Sequence, residues 1–86
     1  METNMDILVN YLKEHGYNYE RKPKFGGEIV VVTDDNGNYL WDAICHQYSY
    51  GGPEGYLELM GESILHHDDV EGWLTAADVI GKLEAA

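Results

Sequence analysis

The sequence predicts an α+β fold, with a small antiparallel sheet of two to three strands and three helices in the order α-β-β-β-α-α. Three observations predict this class. The amino-terminal segment carries apolar residues at helical spacing, a β-branched run follows it, and two further helical patterns complete the chain. A sheet with helices packed on one face buries all of these apolar stripes together.

A first helix is predicted from Thr3 to His15. Thr3 is a candidate N-cap with Asp6 three residues later, as in a capping box, and Gly16 is placed to end the helix. Apolar residues recur at helical spacing and form one face that would pack on the sheet. They are Met5, Leu8, Val9 and Leu12.

The sheet is predicted from three segments. Tyr17 to Lys22 is a first strand that ends at Pro23, and Glu28 to Thr33 is a second, β-branched strand. The Asn36-Gly37 pair suits a type I′ hairpin that leads into a return strand from Tyr39 to Cys45. Alternation in this strand places Trp41, Ala43 and Cys45 on one face and Leu40, Asp42, Ile44 and His46 on the other.

A second helix is predicted to begin at Pro53, since proline fits the first turn of a helix, and to run to about Leu65. Its core face would be formed by Leu57, Met60 and Ile64. A polar connector from His66 to Asp69 follows this helix.

The third helix is predicted to begin after Thr75, which serves as its N-cap. Asp78 completes a capping box, and Leu74 and Val79 occupy the two positions of a hydrophobic staple. Val79, Ile80 and Leu83 would face the core.

The charge of the chain predicts the class of its partner. The 86 residues predict one domain, 1–86, and they carry 16 acidic against five basic side chains, a formal net charge of −11. No Lys or Arg lies between Phe25 and Gly81. Such a chain repels nucleic acid and anionic lipid and attracts basic surfaces or cations, so we expect a protein partner and no direct nucleic-acid or membrane binding. Solubility is the alternative explanation of the charge.

The sequence also predicts a cytoplasmic location. It contains no apolar run of the ~18 residues that a membrane-spanning helix needs. The segment from Met1 to Asp6 is acidic, whereas a signal peptide begins with basic residues. Cys45 is the single cysteine, which excludes an internal disulfide and fits a reducing compartment.

Four side chains are candidate ligands of a structural zinc ion, because zinc selects thiolate and imidazole groups. They are Cys45, His46, His66 and His67. The end of the return strand and the end of the second helix would meet if both elements cover the same core. The spacing matches no standard zinc finger, and the alternative is a buried cysteine with surface histidines.

An enzymatic function is not expected. A Cys45-His46 nucleophile and base would need the base across a cleft, whereas these two residues are neighbours in one strand. A metal hydrolase using His66, His67 and Asp69 is the enzymatic alternative.

The second helix is predicted to carry an acidic contact surface. Glu54, Glu58 and Glu62 are spaced by four residues, which would align their carboxylates on one side of a helix at ~6 Å, a spacing that resembles that of nucleic-acid phosphates. Tyrosines beside carboxylates suit an arginine-rich partner. The alternatives are an ordinary solvated helix face for the glutamates and packing on the core for the tyrosines. The predicted contact residues also include Tyr48, Tyr50, Tyr56, Asp68 and Asp69.

Four segments of the chain resemble small acidic proteins encoded by phages and prophages of Gram-positive bacteria. The segments are LWDAICH (Leu40–His46), SYG (Ser49–Gly51), GYLELMG (Gly55–Gly61) and GWLTAADV (Gly72–Val79). The resemblance spans about Tyr39 to Leu83. In size, charge and motifs the chain is similar to anti-CRISPR proteins that act on the RNA-guided nuclease of type II systems. The connector His66–Asp69 departs from the common pattern, so the resemblance does not extend to a metal site there.

The resemblance implies an inhibitor in the bacterial cytoplasm that binds the type II effector nuclease through an acidic surface and blocks the loading of target DNA. Two alternatives remain. One is a metal-binding phage regulator or metalloenzyme that uses Cys45 and the histidines, and the other is an acidic binder of a different basic host protein.

Overall fold

A computed structural model of the protein describes residues 1–85, and Ala86 lies outside the described residues. The class is α+β, as predicted, but the sheet has five strands instead of two or three, in the overall order α-β-β-β-β-α-β-α. The α-helices are α1 (Asn4–Glu14), α2 (Glu62–Leu65) and α3 (Ala76–Glu84). The strands are β1 (Asn18–Lys24), β2 (Gly27–Thr33), β3 (Tyr39–Cys45), β4 (Leu57–Met60) and β5 (Val70–Leu74), and a short 3-10 helix spans Gly52–Glu54.

The sheet is an antiparallel meander in which each strand pairs with the next along the chain. The buried residues of the three helices and of the sheet form a single apolar cluster, so the helices cover one face of the sheet. The apolar face predicted for α1 is buried in full. The cluster contains Met5, Leu8, Val9, Leu12, Val30, Val32, Trp41, Ala43, Leu57, Leu59, Ile64, Leu65, Leu74, Ala76 and Val79.

Both predicted capping boxes are confirmed, and they fix the starts of α1 and α3. The Thr3 hydroxyl accepts a hydrogen bond from the Asp6 amide at 3.0 Å, and the Asp6 carboxylate accepts one from the Thr3 amide at 3.0 Å. Thr75 and Asp78 repeat the arrangement at 3.1 and 2.9 Å. The Asn4 side chain then joins the two helix starts, because its oxygen accepts a hydrogen bond from the Ala76 amide at 2.9 Å.

The helix predicted from residue 53 to residue 65 is wrong. Gly55 and Gly61 have positive φ angles of 88° and 133°, which interrupt any helix through this segment. Between them, Leu57 and Leu59 alternate into the core as residues of β4. The helical spacing of the apolar residues is therefore incidental, and only the four residues of α2 are helical.

The type I′ hairpin predicted at Asn36-Gly37 is also wrong, because it requires positive φ at both residues and only Gly37 has it, at 83°. Instead, the Asp34 carboxylate accepts hydrogen bonds from the Asn36 and Asn38 amides at 2.9 Å each and organises a longer loop. The two-residue hairpin with positive φ at both positions is Phe25-Gly26, at 47° and 77°.

The two faces predicted for β3 are correct for most of the strand. Trp41 and Ala43 are buried in the core, and Cys45 packs against it. Leu40 also packs against the core, contrary to the prediction, because the pairing register between β2 and β3 shifts beside Thr33 and leaves Leu40 as an extra residue.

Candidate partner-binding surface

The connection from β3 to β4 is held in place by a small hydrogen-bonded turn. The Ser49 hydroxyl accepts a hydrogen bond from the His46 amide and donates one to the His46 carbonyl, both at 3.0 Å. A Cβ atom at Gly52 would lie 2.0 Å from the same carbonyl, so the turn has room only for glycine at that position. Since His46 and Ser49 are buried, the turn directs the neighbouring Tyr48 and Tyr50 outward.

A first aromatic group lies where this turn meets the β1–β2 hairpin. The ring of Phe25 lies 5.3 Å from the His46 ring and 5.5 Å from the Tyr48 ring, in edge-to-face geometry. The His46 Nδ1 atom accepts a hydrogen bond from the Tyr48 amide at 3.0 Å. The buried imidazole therefore supports two rings that face outward.

A second aromatic group lies where the same turn meets β5. The Trp73 amide donates a hydrogen bond to the Tyr50 carbonyl at 3.2 Å, and the Tyr56 and Trp73 rings lie 5.9 Å apart. A Cβ atom at Gly72 would lie 2.3 Å from the Tyr50 Cβ atom. Gly72 therefore lets the tyrosine segment lie directly against the sheet edge.

Together the two groups form a surface that we call the aromatic rim, defined as Phe25, Tyr48, Tyr50 and Trp73. Their exposed fractions are 58%, 72%, 60% and 59%. The short segment from Tyr48 to Tyr50 joins the two groups, so all four side chains border one end of the sheet. Tyr48 and Tyr50 are predicted contact residues, and Tyr56, the third predicted tyrosine, is half-buried with its ring beside that of Trp73.

Sequence reasoning missed Phe25 and Trp73. The signal for Phe25 is its place before Gly26-Gly27, where a hairpin exposes the preceding side chain. Trp73 offers no comparable signal, because its exposure follows from a positive φ of 59° and from pairing with β4, a strand that was read as helix.

The three predicted glutamates do not share one helix face, since each lies on a different element. Glu54 ends the 3-10 helix, Glu58 lies on β4, and Glu62 begins α2. Glu58 is the one tied to the rim, because its Oε1 atom accepts a hydrogen bond from the Tyr50 amide at 2.8 Å. Asp68 and Asp69 are exposed in the connector between α2 and β5.

The four predicted metal ligands are placed on different features. Cys45 is half-buried with its Sγ atom 3.6 Å from the Gly52 carbonyl, and burial together with the charge of Glu28 raises the pKa of its thiol. His46 supports the rim, His66 ends α2, and the His67 Nδ1 atom accepts a hydrogen bond from the Asp69 amide at 3.2 Å.

No three His, Cys, Asp or Glu side chains among residues 1–85 form a group that could hold a metal ion. The zinc site stays a prediction, and the positions of its four proposed ligands give it no added support.

Comparison with protein-family models, with curated proteins and with solved structures found no match for this chain. Within the described part of the chain, none of the helices has the length and apolar character needed to cross a membrane.

Proposed function

We propose that this protein is a stoichiometric, non-enzymatic inhibitor, an anti-CRISPR protein that binds the RNA-guided nuclease of a type II system and prevents target DNA from loading. The observation that carries the proposal is the aromatic rim, which gathers four exposed rings at one end of a strongly acidic molecule. Tyrosine, tryptophan and phenylalanine are enriched in protein interfaces, where a few such side chains supply most of the binding energy.

The charge of the chain fits the surface that such a nuclease offers. The nuclease holds nucleic acid in positively charged channels and reads the protospacer-adjacent motif with arginines. Arginine side chains stack on aromatic rings and pair with carboxylates. The rim supplies the rings, and Glu58, whose carboxylate accepts a hydrogen bond from the Tyr50 amide, supplies a carboxylate beside them. The remaining acids accelerate association and oppose nucleic acid at the same site.

The choice of this particular target rests on the resemblance of the segment from Tyr39 to Leu83 to anti-CRISPR proteins. The rim and the charge would serve an acidic binder of another basic host protein equally well. The experiment must therefore be able to distinguish a binder of the nuclease from a binder of another basic protein.

The experiment is a titration of a guide-loaded type II nuclease with this protein, in which cleavage and binding of target DNA are measured in parallel. We expect both to be lost near one equivalent of inhibitor. Loss of cleavage with intact DNA binding would move the site of action to the conformational switch of the nuclease. No effect on several type II nucleases would reject the target and leave a binder of another basic protein.

Two matched double variants separate local from overall charge. Glu54 and Glu58, which lie in and just after the connection that carries Tyr48 and Tyr50, changed together to glutamine should weaken inhibition, whereas the same two-charge change at Glu14 and Glu84 should not. The second pair is exposed and lies on α1 and α3. Equal losses in both variants would mean that only overall charge matters.

The predicted zinc ion is a separate part of the proposal, with a structural role only. Metal analysis of the purified protein decides it. Zinc near one equivalent that is lost on Cys45→Ser would establish the site, and metal-free folded protein would reject it.

A further inference from the structure

The face of the sheet opposite the helices is a second apolar surface. Residues directly opposite one another in paired strands share a face. Val30 and Ala43 are paired and buried under the helices, so Ile29 and Ile44, which are the adjacent pair, lie on the other side. We call this side the open face. Ile29, Val31 and Ile44 are half-buried and lie outside the core cluster, and Met60 is exposed.

The register defines a charged row across this face. Lys22 on β1 pairs with Ile29 on β2, Ile29 pairs with Ile44 on β3, and Ile44 pairs with Glu58 on β4. The row therefore reads cation, isoleucine, isoleucine, anion. Neighbouring strands lie ~4.8 Å apart, so the two charges stand roughly 14 Å from each other, beyond direct pairing.

This row is complementary to itself. A two-fold axis that runs parallel to the strands, in the plane between two facing sheets, reverses the order of the strands in the second copy. With the axis midway between β2 and β3, Ile29 faces Ile44 of the second copy, and Lys22 faces Glu58 of the second copy. A two-fold interface repeats each such contact, so one row supplies two isoleucine contacts and two ion pairs.

The neighbouring row of paired residues on the open face is compatible with the same two-fold dimer. It reads Glu20, Val31, Asp42 and Met60, so Val31 would face Asp42 of the second copy. Asp42 is only 9% exposed in the single chain, and its Oδ2 atom accepts a hydrogen bond from the Tyr39 hydroxyl at 2.6 Å. Because this carboxyl is already largely desolvated, covering it adds little further cost.

Charge argues for a second copy as the occupant over the basic partner of the rim. Lys22 and Lys24 both occupy open-face positions of β1, since they pair with Ile29 and Gly27, which alternate on that side of β2, and the Lys24 ammonium lies 5.9 Å from the centre of the Phe25 ring. They offset most of the charge of Glu20, Asp42 and Glu58, so this face is close to neutral in a chain whose net charge is −11. A basic protein would gain little electrostatic attraction from this nearly neutral face. The same face of a second copy, in contrast, places an anion opposite each cation of the row.

We propose that the protein forms a weak, symmetric dimer through the open face of its sheet. Four short strands offer less than the ~800 Å² per partner of a standard interface, so association belongs in the micromolar range or above. Repulsion between two chains of charge −11 opposes it, and added salt screens this repulsion. Salt also weakens the two exposed ion pairs, but such pairs contribute little, so the net effect of salt should be to strengthen the dimer.

The test is sedimentation equilibrium of the full chain at low and high salt. We expect a concentration-dependent dimer whose association is at least several-fold tighter in high salt. Lys22→Glu should weaken it roughly tenfold, because it places like charges opposite each other, and Lys22→Glu with Glu58→Lys should restore it. Recovery in the double variant requires the predicted pairing and a folded chain, which circular dichroism checks in each case.

A second pair of variants tests the apolar centre. Ile44→Glu should abolish the dimer, whereas Ile7→Glu, an exposed isoleucine of α1, should leave it unchanged. A monomer at all concentrations and salts would overturn the proposal. A dimer that survives both Ile44→Glu and Lys22→Glu would overturn it as well, because the interface would then lie elsewhere.

Discussion

At the scale of single residues, the rim combines exposure with backbone strain. Phe25 and Trp73 are two of three non-glycine residues in 1–85 with positive φ, at 47° and 59°, and both rings are exposed. Such a conformation costs on the order of 1–3 kcal/mol for a bulky residue. A strained and exposed aromatic side chain contributes little to folding, which favours a role in binding.

Phe25 allows the strain to be measured separately from the ring. Phe25→Ala and Phe25→Gly both remove the ring, but only glycine is relaxed at a φ of 47°. We expect the glycine variant to have a free energy of unfolding about 1 kcal/mol above that of the alanine variant. Chemical denaturation measures the difference, and both variants should lose partner binding to the same extent. A glycine variant no more stable than the alanine variant would show that the hairpin is unstrained.

Asp42 predicts a dependence of stability on pH. Burial raises the pKa of this carboxyl, with a smaller opposing effect from its hydrogen bond with Tyr39. Because the pKa in the folded state is raised, its favourable contribution is present below the unfolded pKa and is lost as the pH rises through the folded pKa. Asp42→Asn keeps an acceptor for Tyr39 and removes the titration.

We therefore expect Asp42→Asn to gain stability relative to the wild type as the pH rises from below the unfolded pKa of ~3.9 through the raised folded pKa. Denaturation curves at several pH values measure this difference. A constant difference across the range would mean that the folded and unfolded pKa values of Asp42 are equal.

At the scale of elements, Gly61 marks the place where the chain leaves β4. Its φ is 133°, and a Cβ atom there would lie 2.6 Å from the Trp41 Cβ atom. Gly16 is a matched control, since its φ is 74° and nothing lies within 4 Å. Gly16→Ala should cost about 1 kcal/mol for the backbone alone, whereas Gly61→Ala should cost at least ~2 kcal/mol because it adds a clash with the core. Equal costs, measured by denaturation, would contradict the close approach of Gly61 to β3.

The elements that could be predicted are those whose signals are local. Thr3 and Thr75 with their capping partners define α1 and α3, and the β-branched run from Glu28 to Thr33 defines β2. The segment between β3 and α3 could not be predicted in this way. Its strands are four and five residues long, and they are stabilised by pairing with β3 and with each other more than by their own propensity.

The candidate site follows the same division. Tyr48 and Tyr50 were predicted because they stand beside the acidic residues of the expected second helix, and both are exposed in the structure although that helix is absent. The alignment of Glu54, Glu58 and Glu62 failed together with the helix that carried it. Trp73 joins the rim through the pairing of β5 with β4 and through the hydrogen bond from its amide to the Tyr50 carbonyl, and local sequence patterns do not encode such contacts between distant segments.

At the scale of the whole molecule, the two proposed surfaces respond to salt in opposite directions. Opposite charges attract a basic partner to the rim. This binding should weaken as salt is added, since about 0.15 M salt screens charges beyond ~8 Å. The open-face dimer forms between two chains of charge −11 and should strengthen. Glu58 takes part in both associations. Its carboxylate accepts a hydrogen bond from the Tyr50 amide beside the rim, and the same residue lies in the charged row of the open face. The two associations are therefore expected to compete when the protein is concentrated.

The most direct test of the central claim is a competition between this protein and target DNA for one guide-loaded type II nuclease. The labelled inhibitor is bound to the nuclease at one equivalent, and its fluorescence anisotropy is followed as target DNA is added. If the rim occupies the path of the DNA, prior binding of either ligand should exclude the other, and Tyr48→Ala with Tyr50→Ala should weaken the inhibitor roughly 30-fold. A stable complex that contains nuclease, DNA and inhibitor together, or no binding to the nuclease at all, would contradict the account.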